Sequence, residues 1–129
     1  MEYSMNTIMH SSFEIAVYAV KTALPNFGFG VVSEFDIDAK LREKLNVDFR
    51  SYKIIGACNP KYAYEALLAE PLIGTMLPCN IVVQEIAPNQ IQIAAIDPVA
   101  SMMAVDNPLL KEAAKEIKKL LQELIDSLN

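Results

Sequence analysis

The length of 129 residues, the composition and the net charge of −5 together exclude several broad classes of protein. Its hydrophobic fraction of 53% and charged fraction of 21% are typical of a folded single domain, which excludes a disordered chain. The 11 basic residues are scattered and outnumbered by 16 acidic residues, which argues against nucleic acid as a partner because phosphate contacts need clustered Lys and Arg.

Apolar runs and turn signals predict alternating strands and helices along the chain. In chain order, these are a strand at 2–9, a helix from Ser11 to Pro25, a strand at 29–35, a short polar helix at 39–46, a strand at 52–58, a helix at 61–70, strands at 79–86 and 91–96, and a long helix from Pro108. This order predicts an α+β fold, with a single mostly antiparallel sheet and helices packed on it. Because no boundary or repeat interrupts the pattern, residues 1–129 are expected to form a single domain.

Polar side chains predict where the first two helices begin. The segment SSFE is a capping box, in which Ser11 accepts a hydrogen bond from the amide of Glu14 and the Glu14 carboxylate reaches back. Either Asp36 or Asp38 is expected to cap the short polar helix.

An Asn-Pro pair predicts the start of each later helix. Asn59 is a preferred N-cap residue, and Pro60 suits the first helical position because its missing N–H would be unpaired there. Asn107-Pro108 repeats this chemistry before the last helix. The strand at 52–58 is apolar almost throughout, which predicts a central strand with both faces covered.

The N-terminal segment lacks the pattern of a secretion signal. Glu2 stands where positive charge is expected, Glu14 interrupts the apolar stretch, and Lys21 is the first basic residue. No segment reaches the roughly 18 apolar residues of a membrane span. Two cysteines are too few for a disulfide scaffold. We therefore expect a cytoplasmic chain without membrane contact and with reduced thiols.

The two cysteines are the leading candidates for chemistry. Cys58 directly precedes a predicted helix, where unpaired amides favour negative charge; the alternative is a small buried residue at a strand end. Cys79 begins the next strand, and the intervening segment can bring it beside Cys58 or leave it at the far end of the sheet. Two neighbouring thiols could form a reversible dithiol, although their spacing is not that of a C-x-x-C motif.

Other candidate sites have less support. His10 is the one histidine, whereas a closed zinc site needs four ligands; Met76 near Cys79 would suit copper(I). Glu34 belongs to an acidic cluster with Asp36 and Asp38, and points either to solvent or into a pocket. No segment pairs a nucleophile with a base, so neither a catalytic residue nor a cofactor is predicted.

Three segments carry a resemblance to a known family. FGFGVVSEFDIDAKLREKLNVDF, YKIIGACNPKYAYEAL and IGTMLPCNIVV resemble the domain-of-unknown-function 302 family of small prokaryotic proteins, over about residues 12–128. The hallmark positions of the family correspond to Glu34, Asp36, Tyr52, Gly56, Cys58, Asn59, Pro60, Pro78, Cys79 and Asn80. Asn46 stands where a glycine is common. The resemblance implies a fold like half of the TATA-binding protein (β-α-β4-α) with an extra short helix, usually assembled as a homodimer.

Two main functional hypotheses follow from these observations. The first is a cytoplasmic homodimer with a small-molecule ligand or a thiol-linked role, whose candidate ligand-binding residues are Cys58, Asn59, Cys79 and Glu34. The second is a structural or protein-interaction module with inert buried cysteines, and a copper or zinc binder is a minor option. The saddle-like fold suggests DNA binding by analogy alone, which the acidic composition opposes.

Overall fold

The computed structural model describes residues 2–129 as one antiparallel sheet with helices packed on it. The strands are β1 (Ser4–Met9), β2 (Gly30–Asp36), β3 (Tyr52–Cys58), β4 (Cys79–Ala87) and β5 (Gln90–Ile96). The helices are α1 (Phe13–Ala23), α2 (Ile37–Leu45), α3 (Pro60–Ala69), α4 (Pro98–Ser101) and α5 (Pro108–Ser127). Short 3-10 turns occupy Leu24–Phe27 and Pro71–Met76. The predicted α+β class is therefore confirmed.

The strands lie in the order β1-β5-β4-β3-β2, and every neighbouring pair is antiparallel. The predicted strand at 52–58 has the predicted bounds. It lies inside the sheet, but β4 is the central strand, so the prediction of a central β3 is wrong by one position. Both strands are apolar, and composition alone does not separate the centre from its neighbour.

Helices α1 and α5 form the hydrophobic core with one face of the sheet. Ala16 and Val20 of α1 and Leu121 and Leu124 of α5 belong to the same buried cluster as the strand residues. The buried hydrophobic side chains of the strands are Met5, Ile55, Ala57, Ile81, Val83, Ile91, Ile93 and Ala95. They alternate along their strands, as expected where one face of a sheet is buried.

The opposite face of the sheet carries an apolar row that crosses four strands. Phe35, Ile54, Val82 and Ala94 lie in register from β2 to β5. Ile54, Val82 and Ala94 are half-buried, and Phe35 is 42% exposed. The prediction that both faces of the apolar strands are covered therefore depends on a surface outside this chain.

The predicted cap of α1 is wrong by one residue, whereas Asp36 occupies the predicted N-cap position of α2 but makes no side-chain cap hydrogen bond there. Ser12, rather than Ser11, caps α1, because Ser12 Oγ accepts from the Ile15 amide at 3.2 Å while the Ser11 hydroxyl donates to the Ser12 carbonyl. The two carboxylates predicted to cap α2 have other partners. Asp36 lies 3.4 Å from Lys53 Nζ, and Asp38 accepts from the Tyr52 amide.

The later helices begin as predicted, with one addition. Asn59 accepts from the Tyr62 amide at 3.3 Å, and Asn107 accepts from the Leu109 amide at 3.0 Å. The additional helix is α4, whose four residues are too few to show helical periodicity. Across residues 2–129, no helix has both the length and the apolar character that crossing a membrane requires.

Candidate functional site

The two cysteines meet at one end of the sheet. β3 ends at Cys58 and β4 begins at Cys79, and their antiparallel pairing places Ala57 directly opposite Cys79. Cys58 is therefore one residue beyond the direct partner of Cys79, at the same end of the strand pair. The sequence left open whether the chain returns the second thiol to the first, and the register shows that it does.

An apolar cavity of about 50 Å³ lies beside the two cysteines, between the ends of β3 and β4 and the helices α3 and α5. Cys58, Asn59 and Cys79 all line it. The other lining residues include Phe29, Ala57, Tyr62, Ala63, Ala66, Leu77, Pro78, Met102, Leu110, Ala113, Ala114 and Ile117. Apolar walls that carry a few polar groups are typical of small-molecule sites, but such sites begin at roughly 300 Å³, so a ligand here needs additional space.

The cavity environment controls the protonation of Cys79. Burial raises the pKa of the Cys79 thiol to about 11, and the nearby Cys58 adds to this rise because two thiolates would repel each other. The thiolate is the reactive form of cysteine. Cys79 is therefore protonated at neutral pH and is a poor nucleophile there.

Asn59 links the cavity to the turn before β2. Its carbonyl oxygen caps α3, while its amide nitrogen Nδ2 would lie 3.0 Å from a Cβ at Gly28. Gly28 has φ of 86°, a left-handed conformation that glycine adopts without a steric penalty. The cap hydrogen bond orients the side chain of Asn59 in the cavity wall, and a side chain at position 28 would press against it.

Close packing at Gly56 holds the start of β4 against β3. A Cβ at Gly56 would collide with Ser33 Oγ and would lie 2.7 Å from Pro78 Cγ. Pro78 also lines the cavity and immediately precedes Cys79. A side chain at position 56 would therefore displace the segment that carries the second thiol.

Glu34 lies away from the cavity, in an ionic network on β2 and β3. Its carboxylate lies 2.8 Å from Lys21 Nζ on α1 and 3.1 Å from Lys53 Nζ on β3. Hydrogen bonds from Lys21 and Lys53 lower the pKa of Glu34, and outweigh the opposing effect of burial. The network joins α1 to the sheet, so the geometry gives Glu34 a structural role.

His10 lies at the far end of the sheet from the cysteines. Met9, the neighbour of His10 in the chain, is opposite Ile91 at the start of β5. On the cysteine side, Ile81 lies two residues after Cys79 and is opposite Ala95, near the end of β5. Within residues 2–129, no group of three or more His, Cys, Asp and Glu side chains could hold a metal ion. His10 is therefore too far away to serve as a ligand in a copper or zinc site at the cysteines.

Sequence reasoning missed the wall of the cavity that α5 supplies. Ala113 and Ala114 are small residues on this helix, and Leu110 and Ile117 lie one turn to either side on the same face. The available signal was a pair of alanines on an otherwise leucine-rich face, which leaves space in a packed interface.

Comparisons with known proteins identify the family. The family model described as "Domain of unknown function DUF302" matches residues 5–128. A crystal structure of an uncharacterized conserved DUF302 protein from Bacillus stearothermophilus is similar, with a TM-score of 0.91 and 28% sequence identity over 100% of both chains. A comparison with curated proteins finds no match. The family match extends over nearly the whole sheet and all the helices, and we conclude that this chain belongs to the DUF302 family.

Proposed function

We propose that this chain is a small-molecule-binding domain whose site is the apolar cavity between β3, β4, α3 and α5. The observation that carries the proposal is that Cys58 and Asn59, at the junction of β3 and α3, and Cys79, at the start of β4, line one cavity. An apolar wall supplies affinity, and the two thiols and the amide supply the few polar contacts that orient a ligand. Met102 on this wall is an adaptable side chain that can make room for a ligand.

Binding of a neutral apolar probe tests this proposal. The cavity of about 50 Å³ is smaller than n-decanol, so binding requires Met102 to move aside; we then expect n-decanol to cause saturable NMR shifts at the amides of Ala57 and Cys79. Ala63→Leu places extra side chain in the cavity and should abolish the shifts. Ala39→Leu is the matched control, because Ala39 is an exposed residue on α2. The absence of saturable shifts in the wild-type protein would contradict the proposal.

A reversible dithiol is a second candidate function. It is favoured by the proximity of the two cysteines: Cys58 lies close enough to Cys79 to raise the pKa of its thiol. Oxidation would form one S–S bond and pass two electrons and two protons to an external disulfide such as oxidised glutathione. Both cysteines are free in this structure. A cytoplasmic location, where thiols remain reduced, is part of the same proposal.

Thiol counting separates this candidate from an inert structural role. If the dithiol operates, a chromogenic disulfide should react with native protein, and oxidised glutathione should then remove both reactive thiols. Cys58→Ser and Cys79→Ser variants should retain one thiol each and form no internal disulfide. Thiols that react only in denaturant would instead favour the structural or protein-interaction module.

A homodimer through the open sheet face belongs to the same proposal. The row Phe35, Ile54, Val82 and Ala94 offers an apolar surface that crosses the sheet. Two-fold pairing would place the same surface of each copy against the other and cover both rows. The resemblance to half of the TATA-binding protein is proposed as a likeness of fold alone, because the net charge of −5 gives no support to DNA binding.

A further inference from the structure

We infer that the ligand of the cysteine-lined cavity is an amphipathic anion, with its apolar tail beside Cys58 and Cys79 and its carboxylate on Lys111 and Lys115. This inference rests on the proposed small-molecule function and names the chemical class of the ligand. It arises from a second cavity, which adjoins the first one and has a different chemical character.

The second cavity lies between α4 and α5 and has a volume of about 240 Å³. Val99, Met102, Met103, Lys111, Ala114 and Lys115 line it. Lys111 and Lys115 are four residues apart, so they lie on one face of α5 one turn from each other. This cavity therefore combines an apolar floor with two ammonium groups at its side.

Met102 and Ala114 line both cavities, so they form the wall between them. Ala114 contributes only a methyl group to this wall, and Met102 is an unbranched side chain that changes rotamer readily. A modest movement of Met102 would join the two spaces. Their combined size then approaches the roughly 300 Å³ at which drug-sized ligand pockets begin.

The joined space has a defined polarity from end to end. Its inner end is formed by apolar residues and the two thiols, and its outer end carries the two lysines. A neutral ligand would form no ion pair with the lysines, whereas a carboxylate forms one and accepts charge-assisted hydrogen bonds from the ammonium groups. An alkyl carboxylate is the simplest molecule that matches both ends.

The two lysines can turn toward a ligand at little cost. Lys111 Nζ lies 3.9 Å from Asp106 Oδ1, and Lys115 Nζ lies 3.3 Å from Glu112 Oε1. All four side chains in these pairs are more than half exposed, and exposed ion pairs contribute little to stability. A bound carboxylate can therefore replace Asp106 and Glu112 as the partner of the lysines.

Calorimetric comparison of decanoate with n-decanol tests the inference, because the two molecules share an alkyl chain and differ in the charged group. We expect decanoate to bind the wild-type protein about tenfold more tightly, which corresponds to the gain of a charge-assisted contact. The double variant Lys111→Gln/Lys115→Gln should remove this advantage, so that it binds decanoate no more tightly than n-decanol. Lys119→Gln is the matched control, because this exposed lysine of α5 lines neither cavity.

The outcomes separate the inference from the proposed function. Equal binding of decanol and decanoate, or a decanoate advantage that survives in the double variant, would overturn the inference and leave the cavity as a ligand site. Binding of neither molecule would overturn both. NMR contacts between the terminal methyl group of decanoate and Cys79 would support the stated orientation, and contacts between that methyl group and Lys115 would overturn it.

Discussion

At the scale of single residues, the reactivity of a cysteine depends on what surrounds its thiol, as Cys79 shows. Cys79 lines an apolar cavity and neighbours Cys58, and both features disfavour its thiolate. A helix start near a thiol is a visible sequence signal, whereas the apolar wall that opposes ionisation comes from distant segments. The position of Cys79 in the sequence therefore does not by itself indicate its reactivity.

Alkylation of Cys79 should require alkaline solution. Burial, with a contribution from Cys58, raises the pKa of the Cys79 thiol to about 11. In a Cys58→Ser variant, where Cys79 is the only thiol, burial alone remains to raise it. We expect the rate of alkylation by iodoacetamide to rise with a midpoint well above the roughly 8.5 of free cysteine. A midpoint at or below that of free cysteine, measured on folded protein, would contradict the buried setting.

Gly56 should be intolerant of even one added carbon. Gly56→Ala places a Cβ against Ser33 Oγ and Pro78, and over-packing of this kind lowers the free energy of unfolding by about 1–3 kcal/mol. Urea denaturation measures the change. The matched control is Gly30→Ala, since Gly30 also lies in a strand and a methyl group added there would meet no heavy atom of residues 2–129 within 4 Å. Equal losses in both variants would show that packing at Gly56 is not the cause.

At the scale of elements, Asp97 joins α4 to α5. Its Oδ1 accepts from the Val99 amide at 2.9 Å and the Ala100 amide at 3.3 Å, and its Oδ2 lies 2.9 Å from Lys118 Nζ. Burial raises the pKa of Asp97, but the hydrogen bonds from Lys118, Ala100 and Val99 together outweigh burial and lower it. The carboxylate form therefore stabilises the junction that supports both cavities.

Replacing Asp97 should cost stability at neutral pH and much less in acid. We expect Asp97→Ala to lower the free energy of unfolding by about 1–2 kcal/mol, the usual cost of a lost N-cap. Because the pKa of Asp97 is lower in the folded state, its contribution is present above the unfolded value of about 3.9 and is lost as pH falls through the folded value. Urea unfolding at about pH 7 and about pH 3 checks this pH window.

The control for this experiment is Asp97→Asn, which keeps an N-cap oxygen and removes the charge. It should retain more stability than Asp97→Ala at neutral pH and should lack the acid-dependent loss. If the difference between the wild-type protein and Asp97→Ala were the same at both pH values, the ion pair with Lys118 would not be the source of the lowered pKa.

The elements also show what the sequence could predict and what it could not. The apolar run at 52–58 predicts β3 correctly, because side-chain pattern and local turn signals agree there. The cap of α1 is missed by one residue, because Ser11 and Ser12 are chemically equal and the exit path of β1 decides between them. The meeting of Cys58 and Cys79 depends on strand register, and the opposite wall of their cavity belongs to α5, far along the chain.

At the scale of the whole molecule, the proposed homodimer makes a direct prediction about mass. Sedimentation at micromolar concentration should give twice the 14.3 kDa of one chain. Val82→Glu introduces a charge into the central strand of the open apolar row and should give monomers, because burying an unpaired charge is strongly unfavourable. Tyr18→Glu is the control, since Tyr18 is 72% exposed on α1. A wild-type species of one chain's mass would contradict the proposal.

The strand order has a consequence for how the chain acquires its structure. Among the strands of residues 2–129, β1 pairs with β5 alone, and the register joins Ser4 to Ile96, so the first strand has no partner until nearly three-quarters of the sequence has been synthesised. Closing such a long loop carries an entropic cost, and pairings of this kind slow folding. We therefore expect the hairpin of β4 and β5 to form early and the attachment of β1 to complete the sheet late. During translation, the apolar side chains of β1 therefore remain exposed until β5, the last strand in chain order, has left the ribosome.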